Sequence, residues 1–156
     1  MGGAEALVFA GFVTVAAWWD LREQRVPNAL NAGFAGAGLL IDLAQGGVRG
    51  LGLGLGGLGI GLAFGVILHL AKRSASWGDV KLLAAAGAWW TPIDAFTATL
   101  AALSGGWLWH VAVLAGRIVQ NVRSKRPWAT GLWEPVPLVP GLAGGYGGWL
   151  LWSLLR

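Results

Sequence analysis

The chain has 156 residues, 56% of them apolar and only 12% charged, which is about half the charge of an ordinary soluble domain. It contains no Cys, which excludes a disulfide, a thiolate zinc site and a cysteine nucleophile. A net charge of +4 on a soluble protein would point to nucleic acid; on so apolar a chain it reads as the basic loops of a membrane protein, so membrane lipid is the expected partner, not nucleic acid.

Six apolar segments follow one another, at roughly 4–19, 29–45, 50–71, 78–92, 93–116 and 136–155. They fill the chain as a single membrane-embedded domain over 1–156, all-α and polytopic, with about six transmembrane helices. The first has no basic stretch before it and no small-residue cleavage site, and is expected to be a retained span. The third, RGLGLGLGGLGIGLAFG, alternates Leu and Gly as a strand would, but a lone strand in lipid leaves its backbone unpaired. It reads instead as a helix with small faces at Gly50/Gly54, Gly52/Gly56 and Gly57/Gly61/Gly65, suited to close packing. The fourth ends at Thr91-Pro92, and Pro92 fits the first turn of the next helix, so segments four and five form a tight hairpin.

Placing the linkers after segments one, three and five on one side collects Arg22, Arg25, Lys72, Arg73, Lys81, Arg117, Arg123, Lys125 and Arg126 there. The other side has Arg49 and Arg156 alone, so the positive-inside rule makes the first side cytoplasmic and both termini extracytoplasmic. Trp18, Trp19, Trp77, Trp89, Trp90, Trp128 and Trp133 fall near segment ends, where an indole is half wet.

The acidic residues are Glu5, Asp20, Glu23, Asp42, Asp79, Asp94 and Glu134. Asp20 closes segment one and Asp79 opens segment four on the same face, whereas Asp42 and Asp94 fall towards the other. Two carboxylates within hydrogen-bond reach do not both ionise cheaply; one keeps a proton, and the pair can hold a water, deprotonate it and protonate an amide carbonyl without a metal. The competing reading makes Asp20 and Asp79 interfacial helix caps, with Ser76 or Asp79 capping the helix that follows. Gly78 would let another backbone approach Asp79.

Lys81 is either a neighbour that acts on Asp79 or an acidic substrate residue, or a snorkelling interfacial cation. Arg22 and Arg25 follow from topology or hold the Asp20 loop, and Asn28 is placed to cap the second helix. His69 and His110 read as packed or interfacial, and Asp94, two places after Pro92, as a first-turn residue. The basic 117–135 linker suits anionic lipid, or a lid carrying Trp128 and Trp133.

Asp20 followed by Arg25-Val26-Pro27-Asn28 resembles the D-x4-R-[IV]-P-N signature of type IV prepilin peptidases. Ser76-Trp77-Gly78-Asp79-Val80-Lys81-Leu82-Leu83-Ala84-Ala85-Ala86-Gly87 is similar to their GxGD-V-K-L-[LM]-A-A-x-G block, and Val136-Pro137-Leu138-Val139-Pro140 to their I-P-[FY]-G-P block. The resemblance implies a GxGD-type membrane aspartyl protease with Asp20 and Asp79 as the catalytic pair. Arg25, Pro27, Asn28, Gly78 and Lys81 fall on motif positions that bind substrate or shape the site. It further implies removal of the basic leader from a prepilin or pseudopilin at the cytoplasmic face of the inner membrane, without metal or cofactor. Some members also methylate the new N-terminus and carry an added N-terminal region with paired Cys motifs; this sequence resembles the short, peptidase-only forms of Flp/Tad pili and preflagellins. Ser76 replaces the first motif Gly, which puts the loop geometry in question because Ser restricts positive φ, and Val139 stands where Gly is usual. The rival expectations are a proton-relaying transporter and a catalytically inactive pilin-binding scaffold.

Overall fold

The computed structural model describes residues 3–72, 76–125, 127, 136 and 139–155, apart from the side chains of residues 72, 153 and 154. Among the described residues five helices follow in order: α1 (Gly3–Glu23), α2 (Asn28–Lys72), α3 (Trp77–Gly87), α4 (Pro92–Arg123) and α5 (Val139–Leu154). The all-α expectation holds. Among the described residues three helices, α1, α2 and α4, are long and apolar enough to cross a membrane. With 11 residues, α3 spans about 16 Å at 1.5 Å per residue, short of the ~30 Å hydrocarbon core. The expected count of about six spans therefore does not follow from helix length alone.

The second and third apolar segments are joined in α2, whose continuity breaks at Gly47 (φ 59°, ψ −146°), a conformation that strongly favours glycine. Beyond it the helix folds back: a side chain at Gly50 would strike the Asp42 carbonyl, and one at Gly54 would meet Leu39 and Asp42. Residues 28–46 and 48–72 are thus two antiparallel arms.

The second arm lies tightly on α3. A Cβ at Gly57 would collide with the Gly87 and Trp90 carbonyls, one at Gly61 with the Leu83 carbonyl, and one at Gly65 would stand 2.7 Å from the Val80 Cα. Where lipid is as apolar as Leu, such backbone approach replaces the hydrophobic effect as the source of helix association. Gly57, Gly61 and Gly65 thus form the close-packed face expected of them, and Gly50 and Gly54 face the first arm. Of the third pair, Gly56 meets Pro92 and Gly52 faces open space. A second glycine seam, which sequence did not anticipate, joins α4 to α5 through Gly105, Gly141 and Gly145.

The hairpin between the fourth and fifth segments is present, though α3 stops at Gly87, and Ala88–Thr91 form the turn. Thr91 caps α4 through its hydroxyl and Pro92 occupies its first turn. Asp94 accepts from the Thr91 hydroxyl at 2.7 Å, the first-turn role expected of it. Despite that connection α3 packs mainly on α2, while α4 packs on α5, and α5 on α1. Rings from four parts of the chain meet in the centre: Phe34 stacks on Phe12 (3.5 Å between centroids) and on Trp89 (4.5 Å), and Phe9 contacts Trp90 and Tyr146. The Trp89 indole donates to the Phe34 carbonyl at 3.0 Å, fixing the turn after α3 against the first arm of α2.

This topology puts the end of α1, both ends of α2, and the starts of α3 and α5 at one end of the bundle. Asp42 and Asp94 lie at the other, with the Ala88–Thr91 turn; Asp42 there neighbours Glu5, which accepts from Gln45.

Candidate active site

Asp20 lies in the last turn of α1 and is only 7% exposed. Its Oδ2 accepts the backbone N–H of Val139, the first residue of α5, at 3.1 Å. Helix starts carry unpaired N–H groups and a partial positive charge, so a carboxylate placed there is both bonded and electrostatically favoured. The Val-Pro sequence at 139–140 thereby delivers a donor to a residue near the other end of the chain. Within this block Val136 is described, and Pro137 and Leu138 lie outside the described residues.

Asp79, 9% exposed, is the third residue of α3. Ser76 precedes the helix in extended backbone (φ −76°, ψ 162°). Its hydroxyl accepts the Asp79 N–H at 3.2 Å. In return Asp79 Oδ2 accepts the Ser76 N–H at 2.7 Å and the Ser76 O–H at 2.9 Å. This is a reciprocal capping box. The doubt raised by Ser in place of Gly is thus answered by geometry: the position uses no positive φ, and its side chain is engaged. The room at Gly78 has a different use from the one expected. A Cβ there would meet the Ser76 Oγ at 3.2 Å and no other chain segment, so the glycine gives space to that hydroxyl.

Asp20 and Asp79 stand near enough for the charge of one to act on the other, although no hydrogen bond among the described residues joins them. In the fold α1 packs mainly on α5 and α3 mainly on α2, and the two carboxylates converge at the end of the bundle where α1 finishes and α3 and α5 begin.

Asn28 and Lys81 also come together. Lys81 Nζ donates to Asn28 Oδ1 at 3.0 Å, tying the start of α2 to the first turns of α3. The expected cap by Asn28 is not seen: Asn28 is the first residue of α2 with its Oδ1 engaged by Lys81, and the Pro27 carbonyl receives the helix's first main-chain bonds, from Leu30 (3.1 Å) and Asn31 (3.2 Å). Pro27 is half-buried, Val26 buried and Arg25 exposed. Arg22 lies over the Trp18 ring, 4.3 Å from its centroid. His69, half-buried, packs on the Trp77 ring.

One polar group near the site was missed by the sequence reading. Asn31, 4% exposed, has no hydrogen-bond partner among the described residues for either side-chain polar atom. It lies one helical turn beyond Asn28, between the Asn28–Lys81 bond and the Phe34 ring stack. Its position one turn before the buried Phe34, at i and i+3, is the signal that would have found it. Trp128 and Trp133, candidates for a lid, lie with most of the linker beyond residue 125 outside the described residues.

An apolar groove of about 720 Å³ runs between α4 and α5, lined by Ser104, Trp109, Gly144 and Trp149 among others, and reaches Pro140, next to the residue that bonds Asp20.

A family model described as "Type IV leader peptidase family" matches residues 7–117. That range contains Asp20, the Arg25–Asn28 motif and the Ser76–Gly87 block, and stops short of α5. No curated protein and no solved structure gives a significant match.

Proposed function

Since this chain belongs to the type IV leader peptidase family, we propose that it is an aspartic-type endopeptidase of the inner membrane that removes the basic leader of a prepilin or pseudopilin. The observation that carries the proposal is the convergence of two buried carboxylates, from the only two Asp-centred motifs that resemble the family's, at the basic end of an apolar bundle.

In this reading the pair holds one proton and one water between them. The ionised carboxylate takes a proton from the water as its oxygen attacks the scissile carbonyl carbon. The protonated carboxyl donates to the carbonyl oxygen. Collapse of the tetrahedral intermediate breaks the C–N bond, and the departing amine takes a proton back from the pair. The Val139 N–H orients Asp20 and the capping box orients Asp79. Arg25, Pro27, Asn28, Gly78 and Lys81 shape the surroundings, Asn28 and Lys81 as a bonded pair. The reaction needs neither metal nor cofactor.

The positive-inside bias supports a reading in which this end faces the cytoplasm and both termini lie outside. The substrate's own apolar helix lies laterally against the bundle, for which the groove ending at Pro140 offers a path. The leader junction unwinds to present an extended amide, at lower cost where the junction carries Gly. The reading is of a peptidase without methyltransferase activity.

The test is direct. Purified protein in lipid is incubated with a leader-bearing prepilin and the products are weighed by mass spectrometry. One cut at the leader junction, with no mass gain on the new N-terminus when a methyl donor is present, is the expected result. An intact substrate would favour the scaffold reading. Proton flux into liposomes without cleavage would favour the transporter.

A further inference from the structure

We infer that Ser76 is a positioning residue for Asp79, and that its hydroxyl fixes which oxygen of that carboxylate is free to react. The inference rests on the proposed role of Asp79 in peptide hydrolysis.

Two donors converge on one oxygen. Asp79 Oδ2 receives the Ser76 N–H at 2.7 Å and the Ser76 O–H at 2.9 Å. Bonds to an ionised acceptor are the stronger class of hydrogen bond, and two on one atom set both the rotation of the carboxylate and its tilt. Oδ1 takes no bond from this box and is left as the oxygen that can meet water. The hydroxyl is itself oriented, because its oxygen accepts the Asp79 N–H at 3.2 Å and its proton is thereby directed to the carboxylate. Gly78 keeps the space beside that oxygen clear. A glycine at 76 would supply the backbone N–H but not the O–H, so this chain holds the carboxylate by one bond more than a Gly-x-Gly-Asp loop can.

A plain helix cap and a positioning residue make different predictions. At an N-cap, Gly in place of Ser costs a few tenths of a kcal/mol, whereas Ala costs about 1. Ser76→Gly therefore removes the hydroxyl while nearly sparing the cap, and Ser76→Thr keeps both.

The experiment uses full-length protein in lipid with ¹³C-labelled Asp carboxyl groups, Asp79→Asn assigning the Asp79 resonance. The same preparations are assayed for leader removal. The expected result is that Ser76→Gly and Ser76→Ala both move the Asp79 carboxyl resonance and lower kcat by roughly tenfold with little change in KM. Ser76→Thr restores both. An Asp79 resonance unmoved in Ser76→Gly overturns the inference whatever the activity. So does a moved resonance with unchanged kcat. A moved resonance in a protein whose wild type cleaves nothing upholds the Ser76–Asp79 contact and removes the peptidase reading instead.

Discussion

Asp20, near the end of α1, receives its hydrogen bond from the backbone of Val139, 119 residues further along the chain. Because the donor is a main-chain N–H, the bond does not depend on the side chain at 139, and Val in place of the usual Gly keeps it. Proline is the substitution that removes it. Pro is tolerated in the first turn of a helix, where its missing N–H has no intrahelical partner. Val139→Pro is therefore expected to fold and to lower kcat for leader removal by about tenfold, while Val139→Ala keeps most of the activity. Equal kinetics of the two variants would show that the contact does not serve Asp20.

The Lys81–Asn28 bond predicts coupling between two motifs far apart in sequence. Both residues lie on the exposed side of the site, so the energy is modest. A double-mutant cycle with Asn28→Ala and Lys81→Met, read by thermal unfolding in detergent and by cleavage rate, is expected to give a coupling of about 0.5–1 kcal/mol. Additive effects would mean that the two act separately.

Close packing of α2 on α3 predicts sensitivity at glycines remote from any carboxylate. A side chain at Gly61 strikes the Leu83 carbonyl, which is backbone and yields only if α3 moves. Gly61→Val is expected to destabilise the fold by about 1–3 kcal/mol and, by shifting α3, to reduce activity. Gly59→Val on the same helix, which meets nothing, should change neither. Melting temperatures and rates of the two variants, compared side by side, check this.

Much of this was legible in the sequence because lipid leaves few options for an apolar chain. The Leu-Gly alternation of segment three had to be helical for want of strand partners, and its Gly57/Gly61/Gly65 face then had to meet another helix. The charge asymmetry sorted Asp20 and Asp79 from Asp42 and Asp94, and the fold keeps those pairs at opposite ends. What sequence could not supply was which helices touch. No pattern of residue types names the partners: α5 supports Asp20, and α2 supports α3. Nor does a motif reveal its hydrogen bonds: Asn28 and Lys81 each invited a separate explanation, and each is half of one contact. Ser76 looked like a defect when judged by backbone freedom alone, since its hydroxyl bonds to Asp79 follow only from the extended conformation it adopts.

Asn31 supplies a prediction of opposite sign. A buried amide without partners costs about 1–3 kcal/mol, so Asn31→Leu, of similar size, is expected to raise the melting temperature. A fall would show that the amide makes bonds of its own that stabilise the folded chain.

The central claim is that Asp20 and Asp79 together hydrolyse a leader peptide, and the most direct measurement is cleavage of a leader-bearing prepilin by wild type, Asp20→Asn, Asp79→Asn and Asp42→Asn in the same lipid. Asn keeps the size of each side chain and removes its charge and acid–base capacity. The account predicts loss of about a thousandfold or more in kcat for Asp20→Asn and for Asp79→Asn, with Asp42→Asn close to wild type. Leader removal at an undiminished rate by either of the first two variants would contradict it.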